Sequence, residues 1–478
     1  METFNSSMTT DAACGTKAEY ALDDEPQLWP LKTTPFEHYM LVDDRPSHPM
    51  AFCIEVLLEG TLQRADLAAA LQVALSRHPL LRAVISRRFG RLPEWIPAET
   101  WPHLEWIESE TLPTLSIPPH LNITREAGLR VWALNVPRTP RLVFQFHHAA
   151  VDGVGALEFI GDLLAVYGQR TSPPEAESPE LAPLNPNKLK TRGKYGSEGL
   201  SFREWFPGYL RYTWENLSLL PRPLARRSGE TSRGTPEETS FPPYLTRILE
   251  TNEVQGIKQA AARWGITCNE LYTTIMLQTF HRWNSRQKRP RRGWSRICMP
   301  VSLRTPLQHG CPADNQLSYL LINLRNEQLE DFSATLKLVH GTSHHMIGSH
   351  DAATFVRNLV WIRRVPWLLK IMTRLPICFG TGVLANVGDV KRQFHGRFPL
   401  EKGRVRAGSV VMSGLLGAAP VRPTSGVATS VGVYCRRLLI NMNYDRQHLK
   451  RTDAEEILDL FIEGLRKMIE PECPAPMA

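Results

Sequence analysis

The sequence predicts an α/β chain folded as two lobes, and three observations predict it. The chain has 478 residues, more than one ordinary domain holds but suited to two lobes that each bury a core. Short β-prone runs alternate with amphipathic helical stretches along most of its length, the pattern of sheets covered by helices. Two stretches rich in Pro, Glu, Ser and Lys or Arg, near residues 171–196 and 221–243, interrupt that alternation close to mid-chain and read as linkers. The expected organisation is a loose tail at 1–25, a first lobe at 26–235 and a second at 236–478. Hydrophobic content of 42% and charged content of 22% are globular values and exclude a disordered chain.

Each element has its own warrant. Residues 1–25 are polar and acidic, the composition of an unanchored terminus. Thr34-Pro35-Phe36-Glu37 is a helix start with proline in the first turn. Ala51 to Leu58 is rich in β-formers and stops at Glu59-Gly60. From Leu62 an amphipathic helix runs through Leu71 and Leu75 until Pro79 halts it. Arg141 to Phe146 is a short apolar strand, and the helix-like Ala156 to Ile160 follows a turn marked by Gly153 and Gly155. Phe202 to Leu220 places aromatic residues and leucines at helical spacing, as in a helix lying on the surface. In the second half, a strand at Tyr244 to Leu249 precedes a helix at about Glu253 to Trp264, and Asn269 suits the cap of a helix from Leu271 to Trp283. Strands follow at Ile297 to Leu303, Leu320 to Leu324, Gly432 to Tyr434 and Leu438 to Tyr444, with an amphipathic helix closing the chain.

The stretch of greatest chemical content is His147-His148-Ala149-Ala150-Val151-Asp152-Gly153. Imidazole is the side chain best suited to accept a proton from a hydroxyl or amine near neutral pH. Here two imidazoles stand where a rigid strand meets a loop, with an acid four residues after the second. The chain carries its own control in His344-His345, a pair inside a helical pattern with Ser349 and no Asp-Gly after it, which reads as solvated surface. His350 and Asp351 lie nearby, but the ligand spacing of a known metal site is lacking, so no metal is expected.

The heptapeptide resembles the H-H-x-x-x-D-G signature of the chloramphenicol acetyltransferase-like superfamily, which contains condensation domains of peptide synthetases, polyketide-associated acyltransferases and wax ester synthases. Supporting segments are closest in pattern to wax ester synthases and diacylglycerol acyltransferases: Gly265-Ile266-Thr267-Cys268-Asn269-Glu270 resembles G-[IV]-T-x-N-D with Glu in place of Asp, and Pro300-Val301-Ser302-Leu303-Arg304 resembles P-V-S-L-R. Asp314-Asn315 stands where the family has G-N, and Ala385-Asn386-Val387-Gly388 where it has S-N-V-P/G. The resemblance covers about residues 28–468. It implies two lobes, each a mixed sheet flanked by helices, with the active site in a channel between them. It also implies His148 as general base, with His147, Asp152 and Gly153 completing the catalytic motif and Asp152 ion-paired to an arginine, for which Arg304 is the candidate. Ser302, Arg304, Asn315, Asn269 and Asn386 are the substrate-binding candidates. The implied reaction moves an acyl group from acyl-CoA, as co-substrate, to a hydrophobic alcohol, with no permanently bound cofactor. An acyl carrier thioester as donor is the second reading, and a noncatalytic lipid- or partner-binding protein the third.

Absences shape the rest. No G-x-S-x-G elbow occurs, consistent with direct transfer without an acyl-enzyme; Ser409 and Ser413 sit in an apolar, small-residue strand pattern and read as structural. The formal charge of +8 comes with no nucleic-acid motif, so no nucleic acid is expected as partner. The densest basic run, Arg286 to Arg292, reads as a solvated loop. Eight scattered cysteines lack any C-x-x-C pair, as in reduced thiols. With no leader pattern and no apolar run of roughly 18 residues, the expected location is cytoplasmic. Residues 355–379, where Trp361, Trp367, Leu368 and Ile371 alternate with Arg357, Arg363, Arg364, Lys370 and Arg374, suit either peripheral contact with an anionic membrane or packing as two helices broken at Pro366.

Overall fold

The computed structural model describes residues 28–193, 202–227, 242–287, 292–306, 309–348, 351–394 and 396–470. The tail expected at 1–25 and most of the basic run at 286–292 lie outside the described residues, as does His350.

Two mixed sheets flanked by helices form the two lobes. The first sheet has seven strands in the order Leu400–Glu401, Arg404–Ala407, Val410–Ala418, Ala51–Gly60, Arg141–His147, Leu129–Asn135 and Leu104–Glu108. Its interior is antiparallel, and its outer pair, Leu104–Glu108 with Leu129–Asn135, is parallel. The second sheet has six strands in the order Leu317–Arg325, Trp294–Ser302, Gly382–Asp389, Val427–Tyr434, Arg437–Tyr444 and Leu245–Leu249. A three-stranded sheet of Leu31–Lys32, Glu94–Pro97 and Ala83–Ser86 accompanies the first lobe. Central strands are buried on both faces, which explains why Ala51–Gly60 reads as a nearly continuous apolar run instead of a strict alternation.

The chain does not keep to the division at residue 235. Residues 400–418 return to the first lobe, where Val410–Ala418 pairs along the length of Ala51–Gly60. The small residues of this segment let strands approach closely: a Cβ at Gly417 would meet the Cys53 carbonyl oxygen at 2.7 Å. Ser409 is likewise structural, its hydroxyl lying 2.8 Å from the Tyr167 hydroxyl and 2.8 Å from the Thr61 carbonyl.

Helix starts follow their caps. The helix start expected at Thr34-Pro35 is present, and Thr34 and Glu37 add a reciprocal capping box. The helix Cys268–Arg286 begins one turn earlier than expected, capped by Thr267 with Glu270 as its reciprocal partner. Asn269 is inside that first turn, because Thr267 and Glu270 stand at the spacing a capping box requires. The helix Phe202–Ser218 lies on the surface with Trp214 exposed.

Helices Asp351–Ile362 and Pro366–Arg374 are separate, the break falling just before Pro366. Phe355 packs on the rings of Phe36, Tyr39 and Tyr319, so the first of them docks at the junction of the lobes as well as on the second. The second buries Leu369 but exposes Trp367, Ile371 and Met372. Among the described residues no helix is long and apolar enough to cross a membrane.

Buried polar contacts bind the lobes together. The Tyr244 hydroxyl donates to Glu55, a carboxylate 1% exposed. The Tyr434 hydroxyl donates to the Met412 carbonyl and accepts from the Val405 amide, both at 3.0 Å. His78 accepts the Ala313 amide at 2.9 Å and lies 3.2 Å from Asp162.

Candidate active site

Strand Arg141–His147 delivers the histidine motif to the junction of the lobes. Its last residue pairs with Ala51, and the next amide, that of His148, donates to the Met50 carbonyl at 2.6 Å. Both neighbours are rigid strand ends, so the turn has little freedom. Asp152 then caps the helix Gly153–Thr171, its Oδ1 accepting the Gly155 amide at 2.8 Å. Such a cap satisfies a donor that helix geometry leaves without a partner.

The other oxygen of Asp152 reaches the second lobe. Oδ2 accepts from Arg304 Nη1 at 2.7 Å and from the Gln316 amide at 2.9 Å. Arg304 also donates through Nη2 to Oδ1 of Asp314 at 3.0 Å and to its carbonyl at 2.9 Å. One guanidinium thus serves two carboxylates, Asp152 at 0% and Asp314 at 1% exposure. Burial disfavours charge on both, but their fates differ. At Asp152 the Arg304 charge and the hydrogen bonds overcome burial and hold the carboxyl below its usual range. At Asp314 burial prevails over Arg304, and the neighbouring Asp152 charge adds to it, so its pKa rises to about 6.

His148 is 7% exposed. Its ring rests on Phe52 with centroids 5.0 Å apart. Asn315, fully buried, donates its amide to the His148 carbonyl and lies 3.5 Å from Nδ1. Burial pushes the His148 pKa below 6.5, while hydrogen bonds to the main chain at His148 and Val151 and the charge of Asp152 oppose the shift. The ring is therefore neutral at physiological pH. It is also fixed in direction.

The other predicted residues separate into those gathered here and those placed elsewhere. His147 is fully buried; Nδ1 accepts the Ala149 amide at 3.1 Å and Nε2 faces Asp44 Oδ2 at 3.7 Å. It shapes the turn and presents nothing to a cleft, because its ring points back into the first lobe. Asn315 likewise spends its amide on the His148 carbonyl, so it fixes the main chain of the histidine turn. Ser302 is exposed beside Arg304, its hydroxyl accepting the Arg304 amide at 3.3 Å. Gly153 is exposed, and a Cβ there would meet nothing within 4 Å. The glycine the backbone needs is Gly155, where a Cβ would lie 2.7 Å from the Asp314 carbonyl oxygen. Asn269 and Asn386 form a separate pair 3.4 Å apart, with Asn269 Nδ2 at 2.9 Å from Met299 Sδ. Met299 precedes Ser302 by three residues in one strand, a span of roughly 10 Å.

Three participants escaped the sequence. Asp44 receives the Met50 amide at 2.9 Å and His120 Nε2 at 2.9 Å. Together with the ring of His147 these bonds outweigh its burial and lower its pKa to about 2. His78, carrying the loop of Ala313, is the third. Each is an isolated residue whose partner is distant in the chain, and no local pattern announces it.

A cavity of about 330 Å³ opens beside Phe52. Phe52, Cys53 and Gln145 line it from the first lobe and Asn443, Tyr444 and Asp445 from the second. That volume is at the small end for a ligand pocket.

No protein-family profile matches the chain. It is 26% identical over 354 residues, 72% of its length, to an uncharacterized protein of Mycobacterium tuberculosis, Rv2305, of which the match covers 78%. A hybrid PKS-NRPS synthetase from Acremonium is 24% identical over 266 residues, 51% of this chain and 6% of that much longer protein. Among solved structures, a trichothecene 15-O-acetyltransferase from Fusarium sporotrichioides superposes with a TM-score of 0.68 at 11% identity, covering 91% of this chain and 94% of its own. The first condensation domain of the CDA synthetase gives 0.65 at 14% identity, covering 94% and 97%. The starter condensation domain of rhizomide synthetase, solved with C8-CoA and Leu-SNAC, gives 0.63 at 12%, covering 94% and 96%. The fold is the one these condensation domains and this acetyltransferase share.

Proposed function

We propose that the protein is an acyltransferase carrying an acyl group from acyl-CoA to the hydroxyl of a hydrophobic acceptor, in a ternary complex and without an acyl-enzyme. The observation that carries this reading is His148: a neutral, oriented imidazole at the junction of two lobes, clasped through its carbonyl by Asn315 and packed on Phe52, which lines the cavity. With Nδ1 lying 3.5 Å from the Asn315 amide, Nε2 is the nitrogen that removes the acceptor proton as the oxygen attacks the thioester carbonyl. The proton then passes to the departing thiolate. General base catalysis of this kind is worth about 10²–10⁴ in rate. Asp152 and Arg304 hold the loop on which the base sits, and His147 with Asp44 holds its other side.

A carrier-protein thioester as donor fits equally well, since condensation domains share the fold. A noncatalytic reading is separable from both. A basic, apolar face at Trp367, Lys370, Ile371 and Arg374 suits contact with an anionic membrane from which a lipid acceptor is drawn.

Incubation with a mixed acyl-CoA pool, or with one acyl carrier thioester, against alcohols, amines and diacylglycerol separates these readings by mass spectrometry of the products. Acylated alcohol from the CoA arm, lost in His148→Ala, is the expected result. Product from the carrier arm alone transfers the assignment to condensation. Any activity that His148→Ala leaves unchanged refutes catalysis at this site.

A further inference from the structure

Helix Phe332–Gly348 places His340 and His344 four residues apart, and therefore on one face. That face meets the first turn of helix Cys268–Arg286, where Glu270 is 7% exposed at its side chain. Glu270 divides its carboxylate between two tasks. Oε2 accepts the Thr267 amide and hydroxyl, both at 2.7 Å, completing the cap. Oε1 is turned outward, 2.8 Å from His340 Nδ1 and 3.9 Å from His344 Nε2. The two imidazoles lie 4.3 Å apart between centroids, tilted by 54°, and the three ligand atoms lie within 4.8 Å of one another.

We propose that Glu270, His340 and His344 form a binding site for a borderline transition-metal cation such as Zn²⁺. Two imidazole nitrogens and one carboxylate oxygen are donors such a cation takes, and three protein ligands leave a fourth position for water. In a tetrahedral site with bonds near 2.1 Å, neighbouring ligand atoms are about 3.4 Å apart. The observed gaps lie on either side of that distance, and His344, 68% exposed, is free to swing inward. Reach explains the choice of glutamate. An aspartate here would still cap the helix but would fall one methylene short of the histidines.

A bound cation would tie the two helices together next to Asn269. This site is independent of the His148 motif and of the acyl-transfer reading.

Calorimetric titration of Zn²⁺ into the chelator-stripped full-length protein tests the proposal. The expected result is one equivalent bound, with affinity falling at least about tenfold in His344→Ala and in Glu270→Asp. His344 is exposed and Asp retains the cap, so both variants keep the fold, which the melting temperature without metal verifies. Zn²⁺ should raise that temperature in the wild type and not in His340→Ala/His344→Ala. Equal Zn²⁺ affinity in the wild type and the double-histidine variant, with thiols blocked in both, overturns the site.

Discussion

Truncation of Arg304 probes the junction most directly. Arg304→Ala leaves two carboxylates, at 0% and 1% exposure, without their shared cation. Stranding a buried charge costs about 3–5 kcal/mol. The two acids respond differently. Asp152 keeps the amides of Gly155 and Gln316, which favour its charged form. Asp314 already has a pKa of about 6 with the guanidinium present, against 3.8 for the free side chain. That gap means about 3 kcal/mol is already spent on keeping it charged at pH 8. Removing Arg304 takes away the group that pulls this pKa down, so it rises further and the penalty at pH 8 grows. Below pH 6 Asp314 takes up a proton, its charge vanishes, and its share of the penalty goes with it. Urea unfolding followed by tryptophan fluorescence should give a deficit of about 3–5 kcal/mol at pH 8 that is at least about 1 kcal/mol smaller at pH 5. Arg304→Ala/Asp314→Asn should recover part of the loss at pH 8. A deficit below about 1 kcal/mol, or one that is the same at pH 5 and pH 8, refutes the shared-cation reasoning.

Other outcomes follow from the same geometry. Because only neutral His148 accepts a proton and burial lowers its pKa, the acid limb of a kcat/KM profile for acyl transfer should fall below pH 6.5; a limb above 6.5 contradicts the assigned environment. The same shift has a stability consequence, since the unfolded chain protonates this histidine near 6.5 before the folded chain does: wild-type stability should decline as pH drops below 6.5, and His148→Gln should flatten part of that decline in urea titrations. Gly155→Ala drives a methyl group against the Asp314 carbonyl and should cost about 1–3 kcal/mol, while Gly153→Ala, facing open space, should melt with the wild type. Ser409→Ala should leave product formation unaffected, and any loss of turnover beyond its loss of stability would revive a nucleophilic serine.

Legibility from sequence varied with the range of the interaction. The motif at 147–153 was readable because its geometry is local: a strand end, a turn and a helix cap lie within seven residues. The Asp152–Arg304 pair spans 152 residues of chain, and only the P-V-S-L-R resemblance brought it within reach. Asp314 stood out solely as a departure from the family's glycine, with nothing local to show that it shares Arg304. Asparagine's preference for caps points to Asn269, yet Thr267 and Glu270 act as a pair and a pair prevails over a single side chain. The return of residues 400–418 to the first sheet was invisible, since strand periodicity says that a segment pairs and not with what. Glu270 with His340 shows the same limit: i,i+4 histidines are visible in the sequence, but their third partner comes from a helix 70 residues earlier.

If His148 is the base proposed above, the distribution of contacts constrains how substrates reach it. Its ring belongs to the first lobe, but its carbonyl is held by Asn315 of the second, and the loop after it is held by Arg304 and Gln316 of the second. Parting the lobes to admit a substrate would release the His148 carbonyl and strip Asp152 of Arg304 and the Gln316 amide, while Asp314 keeps Arg304 within its own lobe. Elsewhere Tyr244 on Glu55, Tyr434 on Met412 and the strand Val410–Ala418 cross between the lobes, so hinge opening would also break buried hydrogen bonds, each costing about 1–3 kcal/mol when left unmade. Entry from the ends of the cleft, with the lobes closed, costs none of this. On that route the cavity beside Phe52 is an approach to the base, and the Phe52 ring packed on His148 is the barrier a substrate must move. Phe52→Ala should therefore raise turnover of bulky acceptors relative to small ones while leaving the pH profile in place. A uniform loss across all acceptors, with the acid limb displaced, would instead make Phe52 a support of the imidazole and put the entrance elsewhere.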